Sequence, residues 1–262
     1  MGKEAERHVQ SVASALRILE AFDRDQGLTL KDLYERTGLN RSRILRFGGT
    51  LQAQGYLEFS EAVGRYTLGP KVFGLGRLVQ SRYAEIANLV RPSLTRLAQA
   101  SGDTAFYSVV QGLDRLVLAH CESTEGVRFV IPEGQVRPLY AGATGKVLLA
   151  FGPESLRRQI LDATVLARLA TPKSIDVEKL ATDLKDIAAA GFAVSRGEAT
   201  AHGFAVSVPV IVGGNLMGAL SIAGPLTKLT GTLAESHVAL LREEGLLMEP
   251  LIANIGIISE ID

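Results

Sequence analysis

The spacing of apolar positions changes once along the chain, near residue 70. Before that point hydrophobic residues recur every three or four positions in short blocks. Val9, Val12, Ala15, Leu16 and Leu19 predict an amphipathic helix over residues 11–22. After a polar loop at 23–27, Thr29 is a good N-cap. Leu30, Leu33 and Tyr34 then line one face of a short helix that Gly38 ends in a left-handed cap. Asn40 caps a third helix, expected from Arg41 to about Gln54 and stopped by Gly55, with Ile44, Phe47 and Leu51 as its inward stripe. Gly48 and Gly49 are out of place there, since each costs about 1 kcal/mol relative to alanine in a helix interior. Two alternating runs, 56–59 and 65–68, joined by 60–64, predict a β-hairpin.

Helix, helix, tight turn, helix, hairpin is the order of a winged helix-turn-helix. Its third helix is the element that enters a DNA major groove. Leu68, Val72, Leu75 and Leu78/Val79 predict a linker helix, and Pro92 is placed to open another helix through Leu97. From Thr104 the period shortens. Runs 105–110 and 116–121 flank a turn at 111–114, and 127–131 reads as a further strand. Residues 144–150 look like the start of a buried helix. Asp176 caps another helix through Ala190, stopped by Gly191, and 192–195 is a short strand. A second hairpin pairs 204–212 with 216–223 across Gly213-Gly214-Asn215, and 232–258 is helical. Hairpins mixed with helices, without regular βαβ alternation, predict an α+β fold with a largely antiparallel sheet.

Composition narrows the function. Of 262 residues, 47% are hydrophobic and 21% charged, which excludes wholesale disorder. Cys121 is the sole cysteine, so neither a disulfide scaffold nor a cysteine-built zinc site is possible. His8, His120, His202 and His237 show no ligand spacing, so no metal is expected, and no motif calls for a cofactor. No apolar run approaches the roughly 18 residues of a membrane span. The charged start MGKEAERHVQ has no secretory h-region, which makes a cytoplasmic location the expectation. Enzyme signatures are missing too. There is no G-x-S-x-G elbow, phosphate loop or H-E-x-x-H, and Gly74-Leu75-Gly76 lacks a third glycine. Glu243-Glu244 reads as a solvated helix pair.

The 28 Lys+Arg balance 28 Asp+Glu, a neutrality that at first argues against nucleic acid. The distribution reverses this. Residues 36–57 hold Arg36, Arg41, Arg43 and Arg46 and no acid. A guanidinium can donate two parallel hydrogen bonds to a phosphate or a guanine edge. Arg41, Ser42 and Arg43 open the third helix, with Arg46 one turn on. Thr50 can donate to a phosphate, and Arg65 in the wing can reach the backbone or minor groove. The plainer alternative is that these arginines solubilise an exposed helix.

Read in order, several fragments make the chain resemble the IclR-type transcriptional regulators. In the first part they are Ser11-Val12 with Ala15-Leu16-Arg17-Ile18-Leu19, Thr37-Gly38-Leu39 before Arg41-Ser42-Arg43-Ile44-Leu45-Arg46, Gly55-Tyr56, and Tyr66-Thr67-Leu68-Gly69. In the second they are Ser101-Gly102, Ala141-Gly142-Ala143-Thr144-Gly145-Lys146, Gly191-Phe192-Ala193-Val194, Val208-Pro209-Val210 and Gly218-Ala219-Leu220-Ser221-Ile222-Ala223-Gly224-Pro225.

The resemblance implies a winged helix-turn-helix domain (1–69), a linker helix (70–84) and a GAF-like effector-binding and oligomerisation domain (85–262). It implies a homodimer or homotetramer on a palindromic double-stranded operator, repressing or activating in response to a small organic metabolite. It also places an effector pocket around Ala141, Gly142, Ala143 and Thr144, around Ser195, His202 and Ala205, and at Ser221 and Ala223. Free N–H groups at the Gly145-Lys146 helix start suit a carboxylate. Ala205, Ala223 and Ser195 stand where family members can carry cysteine, serine and an acid. The expected pocket is therefore mostly apolar, beside Tyr107, Phe129, Tyr140 or Phe204. For His202 a solvent-facing loop position is the plainer reading. Two alternatives remain: a small-molecule enzyme using the C-terminal α+β domain, and a DNA-binding module without a ligand.

Overall fold

The computed structural model describes residues 9–22, 26–123, 129–162, 165 and 175–254. The chain divides into two compact units, Met1–Arg82 and Tyr83–Asp262.

The first unit holds α1 (Gln10–Glu20), α2 (Leu30–Thr37), α3 (Arg41–Ala53), β1 (Leu57–Ser60) and β2 (Arg65–Leu68). Its caps follow from side-chain chemistry. Thr29 Oγ1 accepts the Asp32 N–H at 3.2 Å while Asp32 accepts the Thr29 N–H at 2.8 Å, a closed capping box that also holds the Asp32 carboxyl below its usual pKa. Gly38 ends α2 with φ of 67°, where a Cβ would strain the turn into α3. Ile18, Leu33, Ile44, Leu57 and Tyr66 form the core of this unit. A bridge between Leu28 and Tyr66 ties the β1–β2 hairpin to the start of α2.

Where a linker helix and a second helix from Pro92 are predicted, one helix, α4, runs from Pro70 to Ser101 with Pro92 inside it. A proline there removes a single N–H, and the apolar row Val90, Leu94 and Leu97 continues through it into the core of the second unit.

That unit is built on β3 (Thr104–Gln111), β4 (Asp114–Cys121), β5 (Val136–Pro138), β6 (Ala193–Arg196), β7 (Gly203–Val212) and β8 (Asn215–Pro225). They make one sheet in the order β5-β4-β3-β8-β7-β6 with every pair antiparallel. The helices are α5 (Gly142–Phe151), α6 (Glu154–Leu161), α7 (Val177–Ala190) and α8 (Gly231–Ala253). One face of the sheet packs Tyr107, Val206, Val208, Leu220 and Ile222 against α4 and α8. The other packs Ala193 and Ala219 against Val147 and Leu148 of α5 and Leu184 and Ile187 of α7.

Two expectations need correcting. Phe129–Ile131 form no strand; the third strand of that region is Val136–Pro138. The 129–131 run is apolar because its side chains close a cavity, and residues 127 and 128 lie outside the described set. Glu244 is buried, not solvated. It binds Arg96 through two bonds of 2.7 Å, joining α8 to α4.

Candidate functional site

Two places gather the chemistry. In the first unit, Asn40 Oδ1 accepts the Arg43 N–H at 2.9 Å and fixes the start of α3. Ile44, Phe47, Gly48 and Leu51 turn inward. That rotation leaves Arg41, Ser42, Arg43, Arg46 and Thr50 exposed together. The Arg46 guanidinium lies 4.8 Å over the Phe47 ring, and the Thr50 hydroxyl donates to the Arg46 carbonyl at 3.2 Å. Among the described residues, Arg41, Arg43 and Arg46 have no acidic partner within ion-pair distance. Arg65, on the wing, is exposed and donates to the Gly27 carbonyl, so part of its fork holds the wing in place. Arg36 is an anchoring residue, donating to the Ala21 carbonyl at 2.9 Å. Neither glycine of α3 is demanded by packing. A Cβ at Gly48 would meet only Tyr66, at 3.9 Å, and one at Gly49 nothing within 4 Å.

In the second unit a cavity of about 240 Å³ opens between the α5 start, the β6–β7 connection and the 129–137 segment. Gly142, Ala143, Thr144, Ser195, Ala205 and Ala223 line it. Ala141 faces an adjoining open cleft instead, and His202 is exposed on a turn outside the lining. Ser221 sits behind the wall. It shares hydrogen bonds with Thr144 Oγ1 (3.0 Å) and Ser207 Oγ (2.6 Å), all three hydroxyls being buried. Gly142 has φ of 76°, and a Cβ there would come within 3.1 Å of Ala199, so this corner requires glycine.

Helix α5 begins at Gly142, earlier than the sequence suggests, and its start already has a carboxylate. Glu198 Oε2 accepts the Gly142 N–H at 3.3 Å and lies 2.8 Å from Lys146 Nζ, which Asp183 also holds at 2.8 Å. Burial opposes the Lys146 charge, but the two carboxylates outweigh it and raise the pKa. The chain itself thus supplies an anion where a ligand carboxylate is expected.

Phe129 and Phe204 line the cavity, whereas Tyr140 faces the open cleft and Tyr107 points to the opposite face of the sheet. Phe106, one residue earlier, takes the wall position. Two charged residues that the sequence reading does not include, Arg115 and Arg137, line the cavity among its apolar residues. Arg115 is only 6% exposed. Its Nη1 is 3.4 Å from Ser108 Oγ, its Nε has no hydrogen-bond partner, and its guanidinium stands 5.8 Å from the Phe106 ring centre. Burial and then the Arg137 charge lower its pKa to about 10, so it remains protonated at neutral pH.

Among the described residues no group of His, Cys, Asp and Glu is placed to hold a metal ion, and no helix is long and apolar enough to cross a membrane.

A helix-turn-helix unit with an exposed basic helix, followed by an α+β unit with a small cavity, defines a DNA-binding regulator with an effector domain. Comparison with known proteins specifies the family. Residues 11–61 match the IclR helix-turn-helix domain, and residues 80–246 match the bacterial transcriptional regulator IclR C-terminal domain. This chain belongs to the IclR family of transcriptional regulators. It is 28% identical over 232 residues to the regulator BhcR of Paracoccus denitrificans, covering 88% of this chain and 82% of that one. With the glycerol operon regulatory protein of Streptomyces griseus it shares 30% over 233 residues, 85% of this chain and 87% of the other. Among solved structures, an IclR-type regulator from Alicyclobacillus acidocaldarius matches with a TM-score of 0.66 and 28% identity, covering 93% of this chain and 98% of the other. A homologue from Microbacterium hydrocarbonoxydans, complexed with 4-hydroxybenzoate, matches with a TM-score of 0.65 at 24% identity, covering 92% and 98%, a likeness of fold alone.

Proposed function

We propose that this regulator binds a palindromic promoter site as a homodimer or homotetramer and changes its hold on that site when a small organic acid enters the cavity. The observation that carries this reading is the α3 face, where three arginines without acidic partners share one exposed helix surface with Ser42 and Thr50. In this reading Arg41, Ser42, Arg43 and Arg46 face the major groove, Thr50 donates to a phosphate, and Arg65 reaches the backbone from the wing. The cavity falls below the roughly 300–1,000 Å³ of most small-molecule sites, which favours a compact effector. Gly142, Ala143, Thr144, Ser195, Ala205 and Ala223 are its contacts, with Ser221 setting the Thr144 hydroxyl. The role is that of a cytoplasmic regulator, not a catalyst.

Self-association draws support from apolar residues left in water on the first unit. Val12 and Leu16 of α1 are 55% and 51% exposed, and Leu75 and Val79 of α4 are 52% and 56% exposed. Two winged helices on a symmetric dimer multiply discrimination and match a palindrome. The test is retention of the full chain on promoter DNA as salt rises. The expected result is a linear fall of log affinity with log salt, by about 0.9 per phosphate contacted, and a change in affinity when an aromatic or aliphatic acid is added. Retention insensitive to salt, or a monomer by light scattering, would overturn the reading.

A further inference from the structure

A buried arginine without an acid is an expensive thing to keep. Taking a guanidinium out of water costs several kcal/mol unless a partner repays it. Arg115 is 94% buried by side-chain packing, the complement of its 6% exposure, and has no acidic residue within ion-pair distance among the described residues. Its one hydrogen bond, to Ser108, is long, and its Nε is unsatisfied. The sheet worsens the position. In the β4–β5 register Arg115 pairs directly with Arg137, and both side chains face the cavity. Like charges directly opposite in an antiparallel pair are destabilising. A structural arginine would be expected to end on carboxylates or carbonyls; this one lines the cavity beside Phe106, Phe129 and Ala223. Local rules broken without compensation mark functional sites.

We infer that Arg115, assisted by Arg137 at the rim, is the carboxylate-binding residue of the effector cavity, and that the effector is a flat, apolar-bodied monocarboxylic acid. The Arg115 guanidinium lines the cavity with its charge unpaired, and a carboxylate placed there would form a charge-assisted hydrogen bond with it. The Phe106 and Phe129 rings then flank the body of the acid. This inference rests on the regulator reading above and differs from the expected anion site at the α5 start, where Glu198 already sits.

The experiment is a calorimetric and thermal-shift titration of the full chain with benzoate, 4-hydroxybenzoate and the neutral isostere benzamide, at matched ionic strength. The wild type should bind at least one of the two acids, and bind it about tenfold or more tighter than benzamide. Arg115→Met should remove that preference while melting no lower than the wild type without ligand, since it deletes an uncompensated buried charge. Arg115→Lys, which keeps the charge without the fork, should fall between. Arg137→Gln, at an exposed position, should weaken the acid several-fold and gives the answer should Arg115→Met fail to fold. Equal affinity for acid and amide, no binding of either acid, or undiminished binding by both Arg115→Met and Arg137→Gln would overturn the inference. Retention on DNA, measured on the same preparations, reports separately. If it persists while the acids fail, the regulator stands and Arg115 falls; if it is lost in the wild type, the regulator reading falls.

Discussion

The arginines of α3 and the arginine of β4 are the same side chain under opposite conditions. Arg41, Arg43 and Arg46 stay in water, so they cost the fold nothing, and no acid nearby competes for them. Their effect is collective, growing with each phosphate met and weakening with salt. Arg115 is withdrawn from water and faces its cross-strand neighbour Arg137. Its value depends on one ligand in one geometry. Two recognition modes thus coexist in a chain whose net charge is zero, a total that reports neither of them.

The largest effect expected is on the exposed side. Arg43→Ala and Arg46→Ala should each weaken DNA binding by about 1–3 kcal/mol, roughly fivefold to 150-fold, and leave folding unchanged. A variant that loses a phosphate contact should also show a salt slope shallower by about 1. Binding of an acid in the second unit should not change. Gel-shift titrations at several salt concentrations measure this; unchanged affinity in both variants would return these residues to the role of solubilising charge.

The two regions also differ in how plainly the sequence announces them. The α3 face is local. Its residues are contiguous, the 3.6-residue period separates the Ile44–Phe47–Leu51 stripe from the arginines, and Thr29, Gly38 and Asn40 mark the helix ends. The cavity is assembled from strands and loops far apart in sequence, so its near neighbours are invisible to spacing. Parity decides the rest. In β3 Tyr107 and Phe106 point to opposite faces, and the register with β4 shifts between Tyr107 and Ser108, which helps set Ser108 beside Arg115. No period-2 reading of a single strand supplies that shift. The alanines, glycine and serine of the pocket are legible through resemblance alone. The resemblance does not point to Arg115, which stands beside Asp114 at the hairpin turn, just before the apolar run Leu116–Ala119, where spacing gives no sign of its burial.

A second, smaller effect tests the α3 surface from within. Gly49→Ala places a methyl group where nothing lies within 4 Å and φ is ordinary, so the helix should gain about 1 kcal/mol, read as a higher melting temperature for the first unit. Gly49 shares an exposed helix face with Arg46 and Thr50. If DNA approaches that backbone closely, the more stable variant binds DNA several-fold more weakly. Higher stability with unchanged affinity would detach the glycine from DNA contact and leave it without a structural reason.

The smallest effect separates the two regions by pH. His237 of α8 is 1% exposed, stacks on Phe204 of the cavity wall at 5.7 Å, and finds no hydrogen bond for either ring nitrogen. Burial is the main cause that lowers its pKa from the ordinary 6.5; Asp103, 3.9 Å away, opposes this, and Lys228 reinforces it. With the folded value depressed, the unfolded chain takes up the proton first as pH falls through about 6.5. Stability from this group is therefore complete above 6.5 and declines toward the lower folded value, with a slope no steeper than one proton, about 1.4 kcal/mol per pH unit. Urea unfolding of the second unit between pH 7.5 and 5.5 should show that decline in the wild type and a flatter line in His237→Gln. DNA retention, which tests the α3 face, is read separately over the same range. Equal slopes in the two proteins would mean that His237 keeps the same proton affinity folded and unfolded, and that acid acts on the second unit through some other group.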